Sequence, residues 1–219
     1  MTDDELSQAL SALAKGAVVA AATETFFGLL TDPRHPRALD ALFELKGRAA
    51  DKGVALLVSG MGDWRTLVDE IPEIAETLAQ RFWPGPLTMA LPARAGLDPR
   101  LVVDGTVAAR APGPSDAARI VAAFGAPLTA TSANRAGAPP CVTSDDVKAA
   151  FPETAATSAL TIVPGTAPGG EPSTLVAVTP AGGPEAAPSN ATAWRIRIVR
   201  SGRIQESDLL PFVPASSLR

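Results

Sequence analysis

Apolar positions recur along this chain with two periods, and the switches between them outline its elements. Thr2-Asp3-Asp4-Glu5 has capping-box spacing, and the amphipathic stretch behind it predicts a helix to about Ala14, ending before Gly16. Ala17 to Ala22 is an unbroken apolar run of strand length, and Val54 to Val58 reads as a second strand. Asp32-Pro33 can cap and open a helix that carries Leu39, Leu42, Phe43 and Leu45 on one face and stops at Gly47. Helical spacing returns around Trp64 to Val68, from Pro72 to Phe82, after Pro114-Ser115-Asp116 as far as Phe124, and behind Thr143 with Asp145 and Asp146. Leu87 to Leu91, Val107 to Arg110, Pro127 to Thr131, Leu160 to Val163, Thr174 to Val178 and Trp194 to Val199 read as strands. Pro180 to Thr192, rich in Pro, Gly and Ala, reads as a flexible surface loop. Strands interleaved with helices predict an α/β layered fold with one main sheet, and 219 residues without an internal repeat predict a single domain over 1–219.

Composition then removes several chemistries. A hydrophobic share of 46% fits a globular chain, and the longest apolar run is far too short to span a bilayer. The acidic N-terminus lacks the basic start of a signal peptide, so a cytoplasmic protein with no membrane partner is expected. Cys141 is the only cysteine, which agrees with a reducing compartment, and His35 is the only histidine. A histidine-based triad and a Cys/His zinc site are both disfavoured, leaving hydroxyls, amides, carboxylates and cations to carry any chemistry. The net charge of −4 disfavours a general nucleic-acid binder.

Polar residues cluster where the predicted elements end. Thr129-Ala130-Thr131-Ser132-Ala133-Asn134-Arg135-Ala136-Gly137 is a strand that finishes in small polar groups and a glycine, as the mouth of an α/β ligand site would. The same residue types also cap helices and start turns. Lys46-Gly47-Arg48, with Lys52 beyond it, follows a helix end. There, cations either offset the helix dipole or grip an anion, Arg bidentately and Lys as a point charge. Arg110 ends a strand before Ala111-Pro112, and Arg200 ends another before Ser201-Gly202. Lys46, Arg48, Lys52, Arg110 and Arg200 would form a local anion basin if they converged. The hydroxyls of Thr25, Thr106, Ser132 and Ser173 could orient a polyanionic substrate within it. No phosphate-binding glycine loop or dinucleotide fingerprint occurs, so a nucleotide would be held by side chains and scattered amides.

Seven motifs in order, from about residue 15 to 204, resemble the YrdC family, the threonylcarbamoyl-AMP synthases. They are Thr23-Glu24-Thr25-Phe26-Phe27-Gly28-Leu29, Lys46-Gly47-Arg48 with Asp51-Lys52-Gly53, Phe82 to Thr88, Arg110-Ala111-Pro112, Ser132-Ala133-Asn134 with Gly137, Pro172-Ser173-Thr174, and Val199 to Gly202. The resemblance is to the short, single-domain form. It implies a twisted open mixed sheet flanked by helices, with a concave cationic pocket. It also implies conversion of L-threonine, bicarbonate and ATP, with Mg2+ on the phosphates, to threonylcarbamoyl-AMP and pyrophosphate. The product would pass to a downstream tRNA threonylcarbamoyl-transfer complex that modifies adenosine 37.

By motif, Arg48, Lys52, Thr106, Ser132, Asn134, Pro140 and Arg200 correspond to ATP-binding positions, with Asn134 bracing the loop. Thr25, Arg110, Ala130 and Ser173 correspond to threonine-binding positions, and Lys46 with Arg48 is expected to be catalytic. Trp83-Pro84-Gly85-Pro86 reads as a rigid structural corner. Ala22 stands where the family usually has proline, and Leu57 where many members have a histidine. Two other readings use similar features. A cationic concave face could accept RNA, although five basic residues in an acidic chain favour weak, salt-dependent tRNA contact. Carbamoyl-adenylate chemistry in hydrogenase maturation uses a related domain, but in longer chains with zinc-finger-like cysteines.

Overall fold

Strand β1 (Val18–Ala22) reads as an uninterrupted apolar run because both of its faces are covered. Val19 and Ala21 pack with Ala9 and Leu13 of α1 (Asp3–Ala14) and with Ala117, Ile120 and Val121 of α5 (Asp116–Phe124). Val18, Ala20 and Ala22 pack on the opposite side with Leu42 and Phe43 of α2 (Pro36–Lys46) and Val147 of α6 (Ser144–Ala150). The computed structural model describes residues 1–47, 53–156, 160–181 and 194–212.

The remaining strands are β2 (Phe27–Leu30), β3 (Ala55–Leu57), β4 (Leu87–Pro92), β5 (Val102–Val103), β6 (Thr106–Arg110), β7 (Leu128–Ser132), β8 (Leu160–Ile162), β9 (Thr174–Pro180) and β10 (Trp194–Arg200). They form one ten-stranded sheet in the order β10-β9-β4-β6-β3-β7-β2-β1-β8, with β5 paired to β6 off that path. Three neighbouring pairs are parallel, β1 with β8, β3 with β6 and β4 with β9, and the others are antiparallel. The sheet is therefore mixed and carries helices on its faces, as the sequence predicts. Helices α3 (Met61–Leu67) and α4 (Glu73–Phe82), with the short α7 (Glu206–Leu209), complete the described set.

The half of the sheet built from β4, β6 and β9 sorts its two faces by residue size. Leu87, Met89, Leu91, Val107, Ala109, Val176 and Val178 point one way, into a cluster with Trp64 of α3 and Leu78 of α4. The alternate positions, Thr88, Ala90, Thr106, Ala108, Arg110, Leu175, Ala177 and Thr179, face a cavity. Many are small, so this face recedes where the opposite face is filled. Trp83 acts as the expected corner into β4: its ring lies 4.6 Å from that of Trp64, and its indole N–H donates to Leu87 O at 2.6 Å. Gly85 is required there because a Cβ would come within 2.5 Å of Phe82 O.

Three elements differ from the sequence reading. The helix after Asp32-Pro33 begins at Pro36, since the Asp32 carboxylate takes the Arg34 N–H and guanidinium and closes a turn of its own. Phe27–Leu30, to which the sequence reading assigned no strand, pairs back on β1 with Phe27 opposite Ala22. Val102–Val103 pairs with β6 through an Asp104-Gly105 turn in which both φ angles are positive, 48° and 72°. Arg100 anchors this hairpin: its guanidinium meets Asp98 at 2.8 Å and Asp40 of α2 at 2.5 Å, and holds the Asp98 carboxyl below its usual range. The loop read over 180–192 lies mostly outside the described residues, and Pro180 ends β9. No described helix is long and apolar enough to cross a membrane.

Candidate active site

The receding face of the sheet encloses a cavity of about 1070 Å³, at the upper end of the usual size for ligand sites. Its floor is formed by residues of seven neighbouring strands, from β10 through β9, β4, β6, β3 and β7 to β2, with alternate positions used along β4, β6 and β9. Its rim is formed by the Thr23–Phe26 turn, the Pro139-Pro140 segment, the Gly170–Ser173 loop and the Val103-Asp104 hairpin tip. Sequence reasoning placed Thr25, Thr106, Arg110, Ala130, Ser132, Pro140, Ser173 and Arg200 at a ligand site, and all eight line this one cavity.

The Thr23–Phe26 turn is fixed by the Thr23 hydroxyl. It donates to Phe26 O at 2.8 Å, accepts from the Thr25 and Phe26 N–H groups, and lies 3.0 Å from Thr25 Oγ1. Between the two threonines Glu24 reaches Arg110, and Arg110 Nη1 donates to Glu24 Oε1 in a salt bridge. Arg110 is 7% exposed, and burial pulls its pKa below the ordinary arginine value; Glu24 opposes that shift and the nearby Arg200 charge adds to it. Both guanidiniums stay cationic near neutrality. Leu57 pairs with Arg110 across the β3–β6 ladder and gives the cavity an apolar wall.

Arg200 reaches the cavity because β10 carries an irregularity. Ile198 pairs with Val176, yet Arg200 and not Val199 pairs with Leu175. The extra residue turns Arg200 onto the face shared with Leu175 and Ala177, where regular alternation would have aimed it at the core side. Its guanidinium donates to Ser173 O at 2.9 Å and Ser173 Oγ at 3.0 Å, and Ser173 Oγ lies 2.9 Å from Thr88 Oγ1. Gly202 lets the chain leave β10 against this loop, since a Cβ there would sit 2.2 Å from Pro172 O. Gly202→Ala is expected to destabilise the fold by about 1–3 kcal/mol through overpacking, read as a lower Tm, with weaker substrate binding because the Ser173 loop must yield.

The Ser132–Asn134 loop is braced from behind. Lys46 Nζ donates to Ser132 O at 2.6 Å, Asn134 O at 3.1 Å and Asn134 Oδ1 at 3.1 Å, with Ser132 Oγ at 3.3 Å. Ser132 Oγ donates to Asn134 Oδ1 at 2.5 Å, and the Asn134 amide donates to Arg135 O and Ala138 O. Lys46 is buried, and neither it nor Asn134 is among the residues lining the cavity. Asn134 thus stands as the loop brace the sequence reading made of it, and Lys46, expected from sequence to be catalytic, meets the cavity through the same loop. Gly47 takes the left-handed helix cap with φ 59°, which frees the Lys46 side chain to leave the helix for the loop. Arg48 and Lys52, expected at the ATP phosphates, lie outside the described residues.

Six polar lining residues were not assigned to the site from the sequence: Thr23, Thr88, Asp104, Thr131, Thr179 and Arg197. The Asp-Gly pair was a readable hairpin signal for Asp104. The alternation of β10 put Arg197 on its polar face, but nothing local showed what that face borders. Among the described residues Asp104 is the one carboxylate in the lining, and no cluster of three or more His, Cys, Asp or Glu could hold a metal.

The family model of Sua5, YciO and YrdC, described as telomere recombination, matches residues 11–187. A threonylcarbamoyl-AMP synthase of Vibrio cholerae is 42% identical over 148 residues, covering 66% of this chain and 78% of that protein. The crystal structure of Pyrococcus abyssi Sua5 complexed with L-threonine superposes with a TM-score of 0.83 at 27% identity, covering 100% of this chain and 60% of that one. Escherichia coli YciO shares the fold, with a TM-score of 0.74 at 19% identity over 92% of this chain and 90% of its own. With its cavity set on this sheet and a family match over most of its length, the chain belongs to the Sua5/YciO/YrdC family.

Proposed function

We propose that this chain is a threonylcarbamoyl-AMP synthase, a nucleotidyltransferase that joins L-threonine, bicarbonate and ATP and releases pyrophosphate. The observation that carries the reading is the convergence of Arg110, Thr25, Ala130 and Ser173 with Thr106, Ser132, Pro140 and Arg200 in one cavity. The first group matches the family's amino-acid positions and the second its nucleotide positions. The name threonylcarbamoyl-AMP synthase carried by the relatives and the L-threonine bound in the Pyrococcus structure support this reading.

In this reading the neutral threonine amine adds to CO2 with loss of a proton, or condenses with bicarbonate with loss of water, to give a carbamate. A carbamate oxygen then attacks the α-phosphorus of ATP as pyrophosphate leaves. Both reactants are anions, so the protein must lower their repulsion and hold them in line. Arg110 would hold the amino-acid carboxylate through the guanidinium N–H groups that Glu24 leaves free. Arg200 and the braced Ser132 loop would hold the phosphates, and Arg48 and Lys52 join them by motif. Mg2+ enters as part of the ATP substrate and supplies charge neutralisation on the phosphates. A single carboxylate among the described lining residues suits such a substrate-borne ion better than a resident one. No histidine is required, because a carbamate is already nucleophilic. The product would serve a tRNA threonylcarbamoyl-transfer complex, and a cytoplasmic enzyme would suit that role.

The amino-acid preference tests this reading. Leu57 and Ala130 offer an apolar contact to the threonine methyl, and a methyl group is worth about 1–3 kcal/mol of discrimination. Pyrophosphate release should therefore be roughly 10-fold or more faster with threonine than with serine under subsaturating amino acid. Equal rates with the two would contradict the assignment.

A further inference from the structure

Five sheet positions at one end of the cavity form a row across neighbouring strands. Leu57 pairs with Arg110, Thr88 with Leu175, and Leu175 with Arg200, so two guanidiniums flank the Thr88–Ser173 hydroxyl pair. Their counter-charges differ. Arg110 is ion-paired to Glu24, a carboxylate with 13% of its side-chain surface exposed. Arg200 has no carboxylate partner among the described residues and donates to the neutral Ser173 carbonyl and hydroxyl. The second Glu24 oxygen, Oε2, is buried and finds no hydrogen-bond donor in the described structure. A desolvated carboxylate with half its acceptor capacity unused is a poor device for stability alone. Its effect on the cavity is electrostatic: it cancels the charge of one guanidinium and leaves the other intact.

We infer that Glu24 is a specificity-determining residue, which makes the Arg110 subsite take a zwitterion and reject a bare anion, so that phosphate groups are kept to the Arg200 side. The inference rests on the reading of Arg110 as the amino-acid subsite. An uncompensated buried guanidinium would bind phosphate, pyrophosphate or any carboxylate indiscriminately, and ATP or its product would compete with the amino acid. With Glu24 beside it, the subsite is close to neutral. An amino acid that brings one negative and one positive charge adds no net charge there, whereas an anion brings an uncompensated one to a site that already holds a carboxylate. Glu24 acts through Arg110 and through the local field, and thus positions and selects without being a reacting group.

The test is a comparison of three ligands by calorimetry on the full chain: L-threonine, 2,3-dihydroxybutanoate (threonine with its ammonium replaced by hydroxyl) and inorganic pyrophosphate. Wild type is expected to prefer threonine over dihydroxybutanoate by at least tenfold, with pyrophosphate failing to displace threonine. Glu24→Gln keeps the side-chain shape and removes the charge. It should shift the threonine-to-dihydroxybutanoate ratio at least tenfold toward the anion and let pyrophosphate compete with threonine. A ratio unchanged within twofold in Glu24→Gln, with threonine still bound, overturns the inference and leaves the functional reading intact. Should Glu24→Gln fail to fold, the wild-type data decide: pyrophosphate displacing threonine, or dihydroxybutanoate binding equally well, overturns the inference. Wild type that binds no threonine overturns both.

Discussion

Lys46→Met is expected to lower thermal stability and to reduce pyrophosphate release by about a hundredfold or more, although the side chain lines no part of the cavity. The ammonium holds two carbonyls, an amide oxygen and a hydroxyl of the Ser132–Asn134 loop at 2.6–3.3 Å. Hydrogen bonds to a charged group are worth about 1.5–3 kcal/mol, and stranding buried acceptors adds about 1–3 kcal/mol for each group left unpaired. These terms share one loop and do not add, so a loss of roughly 3 kcal/mol is expected. The backbone strengthens the coupling, since the Ala136 N–H donates to Lys46 O at 3.0 Å. Lys148→Met is the control: its ammonium meets Asp145 at 2.8 Å in an exposed i,i+3 pair, and its removal should change stability by less than about 0.5 kcal/mol. Thermal melts and steady-state assays of both variants check the contrast. A Lys46→Met enzyme with wild-type activity would mean that the loop needs no brace.

Arg110→Met should abolish threonine binding and destabilise the fold by about 3 kcal/mol, because it leaves the Glu24 carboxylate buried without its counter-ion. The second effect can be separated from the first. In the Arg110→Met/Glu24→Gln double variant the stranded charge is gone, so most of the lost stability should return while threonine binding stays absent. Recovery of threonine binding in the double variant would show that Arg110 serves the fold and not the ligand. ATP affinity in the same variants should change by less than about threefold, because Ser132 and Arg200 are untouched; chemical denaturation and calorimetry give both numbers.

Much of this was legible in the sequence, for identifiable reasons. The capping box at Thr2 formed as spaced, the helix behind Thr143 starts where Asp145 and Asp146 placed it, and the buried runs in β1, β4, β7 and β9 announced strands because each is flanked by turn chemistry. Strand β2 escaped because Phe27–Leu30 is buried on both faces and shows no alternation, so the polar turn before it dominated the local signal. Helix α2 started late because the Asp32 carboxylate found Arg34 before it found a helix N-terminus. The site divides in the same way. Polar groups at strand ends, such as Arg110, Ser132 and Ser173, mark themselves by contrast with their apolar surroundings. Lys46 does not, because its partners lie 86 and 88 residues away and only tertiary structure tells a helix-end cation from a loop brace. Arg200 could be identified by position, yet its aim depends on a strand irregularity that no local pattern revealed.

Pyrophosphate release from Mg2+–ATP by the full chain, with threonine and bicarbonate supplied separately and together, is the decisive measurement. Release that requires both, and that yields threonylcarbamoyl-AMP in equal amount, is the expected result. Release that is indifferent to bicarbonate, equally fast without threonine, or absent with both present would contradict it.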